Sequence, residues 1–145
     1  MRLRIALLAA LVLTSGASVT AQTPDSTGGS VTAAQEAAGA WLRLVDQHRY
    51  GESWDSAAGM FREAVTRSAW EAAVQEGRAR FEPFGARRLL GATFQNSLPN
   101  APAGEFVVLQ YQTKVRGGKT AVETVTPTRD KDGRWRVAGY YVRPE

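Results

Sequence analysis

Near Arg87 the spacing of apolar residues changes from helical to alternating, and few architectures accommodate both periods in one short chain. Before that point Ala37, Ala38, Trp41, Leu42 and Val45 recur at helical intervals through about His48, and Trp70, Val74, Gly77 and Phe81 share one face of a second helix. Residues 51–58 and 61–65 read as short helical pieces hinged at Gly59, and Pro83 with Gly85 closes the helical half. Beyond it, residues 87–96, 105–116, 119–129 and 134–143 read as four strands. Helices first and strands after predict an α+β domain, with N-terminal helices packed on one side of a bent four-stranded antiparallel sheet.

The turns predict a register. Gly117-Gly118 reads as a two-residue hairpin turn that sets Arg116 opposite Lys119, hence Tyr111 opposite Thr124 and Leu109 opposite Thr126. Asp130-Lys131-Asp132-Gly133 returns the chain, setting Arg129 against Arg134, Thr126 against Val137 and Val122 against Tyr141. On this register Val107, Leu109, Tyr111, Trp135 and Val137 face the helices together with Val122, Thr124, Thr126 and Tyr141. Gln110, Gln112, Lys114, Arg136 and Ala138 form a polar outer face with Glu123 and Tyr140. Two capping boxes, Thr32 with Gln35 and Ser68 with Glu71, predict where the two longer helices begin.

The N-terminus carries Arg2 and Arg4, an unbroken apolar run from Ile5 to Leu13, and Val19-Thr20-Ala21 before Gln22, the pattern of a cleavable secretory signal peptide. Nine apolar residues fall short of the roughly 20 that cross a bilayer, so no membrane span is expected. The sequence therefore divides into a signal peptide (1–21), a flexible linker (22–32) and one domain (33–145), and the expected location is periplasmic or secreted. The chain has no Cys, so after export no disulfide can support the fold. Removing Arg2 and Arg4 from 18 basic residues leaves 16 against 14 acidic ones, a balance that argues against nucleic acid as a partner. Arg87, Arg88, Arg134 and Arg136 with Lys114 and Arg116 could converge into a patch for an anionic surface, but the preferred reading is arginines on solvated strand edges.

Few motifs carry chemistry. His48 is the only histidine, which excludes a multi-histidine metal centre, and it reads as a helix-end residue. Ser53 lacks the flanking glycines of a nucleophile elbow and reads as a capping or buried hydroxyl. Gly118-Lys119-Thr120 imitates the end of a phosphate-binding loop, but Thr113 stands where the first Gly is required. No cofactor, metal or catalytic residue is assigned. Among carboxylates, Asp46 reads as buried and hydrogen-bonded to the turn that follows it, Glu105 as solvated, and Glu123 as lying on the polar face beside Gln112 and Tyr140.

Trp-Leu-x-Leu-Val-Asp at Trp41 to Asp46, Tyr50 with Ser53-Trp54, Trp70, the loop Leu98-Pro99-x-Ala101-Pro102-x-Gly104-Glu105, Glu123-Thr124-Val125-Thr126-Pro127 and the terminal Trp135-Arg136-Val137-x-Gly139-Tyr140-Tyr141 together resemble a bacterial secreted family, domain of unknown function 4019. The likeness runs from Ala37 to Val142. It implies a cone similar to nuclear-transport-factor-2-like and cystatin-like folds, which serve ligand binding, dimerisation and occasionally catalysis. Asn100 and Ala103 depart from the Gly and Asp that the resemblance leads one to expect.

Candidate pocket or contact residues are Trp41, Asp46, Tyr50, Trp54, Tyr111, Glu123, Trp135 and Tyr140. Three functions follow in order. The first is a non-enzymatic interaction or accessory module with a protein partner, which includes a homodimer through the exposed sheet face. The second is a carrier holding a small apolar ligand among Trp41, Tyr111 and Trp135. The third is an acid-base enzyme using Asp46 with Tyr50 or Tyr111.

Overall fold

The computed structural model describes residues 26–145. The signal-peptide reading and the first residues of the linker lie outside that range. Four helices, α1 (Ser26–Asp46), α2 (Tyr50–Asp55), α3 (Gly59–Ala64) and α4 (Arg67–Ala79), precede four strands, β1 (Arg87–Gln95), β2 (Phe106–Lys114), β3 (Thr120–Arg129) and β4 (Trp135–Pro144). The strands form one antiparallel sheet in the order β1-β2-β3-β4. The α+β class and the meander are as the sequence predicts.

Helix α1 supplies the main apolar stripe. Ala34, Ala38, Trp41, Leu42 and Val45 are buried at helical spacing and pack with Val107, Leu109, Val125 and Val137 of the sheet and with Trp70 and Val74 of α4. The helix starts earlier than the capping box at Thr32 predicts. Thr32 lies inside it, its hydroxyl donating to the Gly28 carbonyl at 3.1 Å, and Val31 packs against the core. Residues 26–32 are thus helix rather than flexible linker, because burial of Val31 and Ala34 outweighs the weak helix propensity of Gly28 and Gly29. In α4 the cap is Thr66, whose hydroxyl accepts from the Ala69 amide at 3.3 Å, two residues before the predicted Ser68. At the end of α1, His48 takes φ of 57° while the His48 and Arg49 amides donate to the Val45 and Leu44 carbonyls. This is a Schellman cap with histidine in the position that glycine usually fills.

The register differs from the predicted one, and the difference decides what the core contains. The β2–β3 turn has three residues, Arg116–Gly118, closed by the Val115 amide on the Lys119 carbonyl at 3.0 Å, with φ of 71° at both Gly117 and Gly118. One extra turn residue moves the pairing by one, to Tyr111 opposite Glu123 and Leu109 opposite Val125. A one-residue slip exchanges the two faces of a strand. Glu123 therefore points inward and is fully buried, while Val122, Thr124 and Thr126 turn to the other face. The β3–β4 turn sets Arg129 opposite Trp135 rather than Arg134, and a bulge at Thr126/Pro127 adds a second residue, pairing Val125 with Tyr140 and Thr124 with Tyr141. Tyr140 consequently faces the helices, and Tyr141 is 62% exposed.

Candidate functional site

Turning Glu123 inward creates a cluster in which Arg78 and Arg87 meet Asp46, Glu82 and Glu123 where the helices pack on the sheet. Arg78 continues the α4 stripe of Trp70 and Val74 at the next four-residue step, and its side chain is only 1% exposed. Arg87 enters from the first residue of β1, Asp46 from the last turn of α1, and Glu123 from the middle of β3. Arg87 Nε donates to Glu123 Oε1 at 2.7 Å, and its terminal nitrogens reach Asp46 at 2.5 and 2.8 Å. Arg78 donates to Asp46 at 2.7 Å, to the Tyr140 hydroxyl at 2.8 Å and to Glu123 at 3.4 Å. The Tyr140 and Thr113 hydroxyls each donate to Glu123 at 2.6 Å.

Arg78 Nε also donates to Glu82 at 3.4 Å, so two arginines meet three carboxylates, of which only Glu123 is fully buried, and no described buried side-chain polar atom lacks a partner. A buried charge is tolerated only when so paired. Phe84 covers the group, with the Arg78 guanidinium 3.6 Å from its ring centroid. Tyr140 packs against both the main core and a smaller apolar cluster of Phe81, Ala121 and Val142, so the ions sit where the two apolar regions meet.

The electrostatics follow from this geometry. Burial alone would raise the Asp46 pKa, but hydrogen bonds and charge from Arg87, and then Arg78, outweigh it and hold the carboxyl below its ordinary value. Arg87 is held above the usual range: burial opposes its charge, and Asp46 and Glu123 more than restore it. Burial, together with the Glu123 carboxylate, pushes the Tyr140 phenol strongly upward. A carboxylate clamped in its ionised form by two guanidinia is a poor proton acceptor, and a phenol with a raised pKa is a poor acid.

The remaining candidates fall into a second, aromatic group. Trp41 and Trp70 stack with centroids 5.7 Å apart, and Tyr140 lies 5.4 Å from Trp41. Ser53 is the polar hub beneath them, its carbonyl accepting from Trp41 Nε1 and its hydroxyl from Trp70 Nε1, each at 2.9 Å, while the hydroxyl donates to the Tyr50 carbonyl at 2.6 Å. Trp54 Nε1 donates to the Val65 carbonyl at 2.8 Å, and Tyr50 packs edge-on to His48. Trp135 and Trp41 border an open depression of about 280 Å³ against α1, and Tyr111 is half-buried elsewhere on the sheet. Trp41 belongs to the core cluster, and Tyr111 and Trp135 pack against it.

Of the candidates, the structure brings Asp46, Glu123 and Tyr140 together, while Tyr50, Trp54, Tyr111 and Trp135 pack against the core that contains Trp41. It corrects two placements: Glu123 and Tyr140 are not on the outer face, because the three-residue turn and the bulge reverse them, and Asp46 bonds arginines rather than the turn after it. Arg78 and Arg87 are absent from the candidates. Arg87 is not a solvated edge residue, since two carboxylates draw it inward. The spacing Trp70, Val74, Arg78 carries the signal that would have found one of them. Among the described residues no group of His, Cys, Asp and Glu could hold a metal ion, and no helix is long and apolar enough to cross a membrane.

Fold and site together define a class, a small helix-on-sheet domain whose two layers are joined by a charge cluster around the buried Arg78 and Glu123. Residues 37–140 match the family described as "Protein of unknown function (DUF4019)", and the chain belongs to that family. A solved protein from Catenulispora acidiphila is similar in fold, with a TM-score of 0.54 over 82% of this chain and 94% of its own at 16% identity. No curated protein matches the chain.

Proposed function

We propose that the protein is an exported interaction or accessory module that works through its surface. One observation carries the reading: the groups able to do chemistry are already consumed by each other. Asp46, Arg78, Arg87, Glu123, Thr113 and Tyr140 satisfy one another, and the indole N–H groups of Trp41, Trp54 and Trp70 are spent on backbone and Ser53. Their arrangement serves rigidity, since Asp46, Arg78, Arg87, Glu123 and Tyr140 each hold at least two others. Export rests on the N-terminal sequence pattern. An apolar ligand carrier is the alternative, and it would use the open depression between Trp41, Leu44 and Trp135.

The test is native mass spectrometry of the protein purified, without refolding, from the exported fraction of its own cells after mild cross-linking. Adducts with a second polypeptide support the module. A retained mass of a few hundred daltons would replace it with the carrier, and bare monomer across several growth conditions would leave the module without support.

A further inference from the structure

Three of the four indole N–H groups are spent inside the fold, and the fourth is not. Trp135 Nε1 meets no acceptor among the described residues, and since no described buried side-chain polar atom lacks a partner, this N–H is open to water. Trp135 lines two depressions, the one it shares with Trp41 and a larger one of about 600 Å³. The larger lies between the first turns of α1 and the end of the sheet where β1 and β3 finish and β2 and β4 begin. Gly29 and Ala33 form its helical wall, and a Cβ at Gly29 would meet nothing within 4 Å, so the space beside that wall is open.

The rest of the lining is aromatic and polar. Phe94 and Trp135 are partly buried and anchored on the core. Between them Arg129 Nη1 donates to Glu105 Oε2 at 3.2 Å, which cancels the two charges, while Glu105 Oε1 and Arg129 Nη2 bond nothing among the described residues. The Asn96 side-chain amide and the Ser30 hydroxyl are likewise unspent there. These groups select the occupant. A purely apolar molecule would take water from each of them and return no hydrogen bond, at a cost for every group covered. A charged molecule finds no net charge to pair with, because Glu105 and Arg129 already hold each other. A neutral molecule with one C–H face and several hydroxyls suits both halves of the lining, since the face stacks on an aromatic ring and hydroxyls both donate and accept.

Resting on the reading of the protein as a module that works through its surface, we propose that the depression between α1 and the sheet end binds a short neutral saccharide. A sugar ring stacks on Trp135, its hydroxyls accept from the Trp135 N–H and Arg129 and donate to Glu105, and the Asn96 amide does both.

The probes are cellobiose, maltose and N,N′-diacetylchitobiose, titrated into the protein by amide and indole NMR, with digalacturonate and fully deacetylated chitobiose as anionic and cationic controls. At least one neutral disaccharide shifts the Trp135 indole N–H and slows its exchange with water, shifts the Asn96 side-chain amide, and leaves the indoles of Trp41, Trp54 and Trp70 in place. The charged controls bind more weakly. Trp135→Phe keeps a ring but removes the N–H, and Asn96→Ala removes an exposed, unpartnered amide; each weakens binding about fivefold, the second with Tm unchanged. Silence of all three neutral probes, tighter binding of a charged control, shifts confined to other surfaces, or indifference of both variants would each overturn the site. A cross-linked polypeptide with silent sugars would overturn the site and leave the module reading intact, whereas sugar shifts at Trp135 with no cross-linked polypeptide would uphold the site and remove the protein partner.

Discussion

Replacing Arg87 by methionine isolates the contribution of the charge cluster. Methionine keeps most of the aliphatic stem but deletes four hydrogen bonds, two to Asp46 and two to Glu123. Glu123, fully buried, then keeps Thr113, Tyr140 and a long 3.4 Å contact with Arg78. Arg78 alone is left to face Asp46, Glu82 and Glu123. Removing one partner of a buried ion pair costs about 3–5 kcal/mol. The Asp46 side chain is 30% exposed and water can reach it, which places the expected loss near the lower end, about 3 kcal/mol. Urea denaturation followed by tryptophan fluorescence should read this loss at pH 7, with Tm falling on the order of 10 °C. Adding Glu123→Met should make the double variant more stable than the sum of the singles by at least about 1 kcal/mol. The sign of the pH dependence is fixed by Asp46. Its folded pKa is depressed, so its contribution is complete above the unfolded value of about 3.9 and fades as pH falls through the lower folded value. The gap between the parent and Arg87→Met should therefore narrow in acid. A loss below about 1 kcal/mol at pH 7, or one independent of pH, would refute the account of a tightly paired, water-poor cluster.

Other substitutions test single links. Ser53→Ala strands the buried Trp70 N–H and should lower stability by about 1–3 kcal/mol in the same urea assay. Asn100 holds φ of 60°, so Asn100→Val should cost about 1–2 kcal/mol while Asn100→Gly is neutral or mildly stabilising, as differential scanning calorimetry would show. His48→Gly should raise Tm by relieving the same strain at the α1 cap. In a spectrophotometric titration Tyr50, Tyr111 and Tyr140 should ionise late, because burial raises each phenol. Their raised folded pKa values mean stability declines once pH passes the unfolded phenol value of about 10, and unfolding and ionisation should coincide there.

Element order, helix stripes and strand positions were legible because periodicity reports burial along a segment, and each predicted strand lies within about two residues of the observed one. The departure in the loop was legible too: Asn100 replaces the expected Gly because asparagine tolerates the left-handed backbone found there. Register was not legible. Gly117-Gly118 supports a two-residue turn as readily as the three-residue turn that includes Arg116, and the bulge at Pro127 has no local signature in the alternation around it. Those two single-residue ambiguities decide whether Glu123 meets water or two arginines, so they hid the cluster. Arg78 was hidden differently. A charged residue on an apolar stripe with Glu82 four positions on reads as a solvated helix pair until Asp46 and Glu123, 32 and 45 positions away, are placed beside it.

The cluster also bears on inheritance. Asp46, Arg78, Arg87 and Glu123 lie on four separate elements, and loss of an arginine or of Glu123 leaves buried charge without its partner. Replacement of the whole set by apolar residues of similar volume carries no such penalty, so descendants should either keep all four or lose them in concert. Relatives lined up over residues 37–140 should accordingly show these positions covarying as one unit, with intermediates that retain a single unpaired ion strongly depleted.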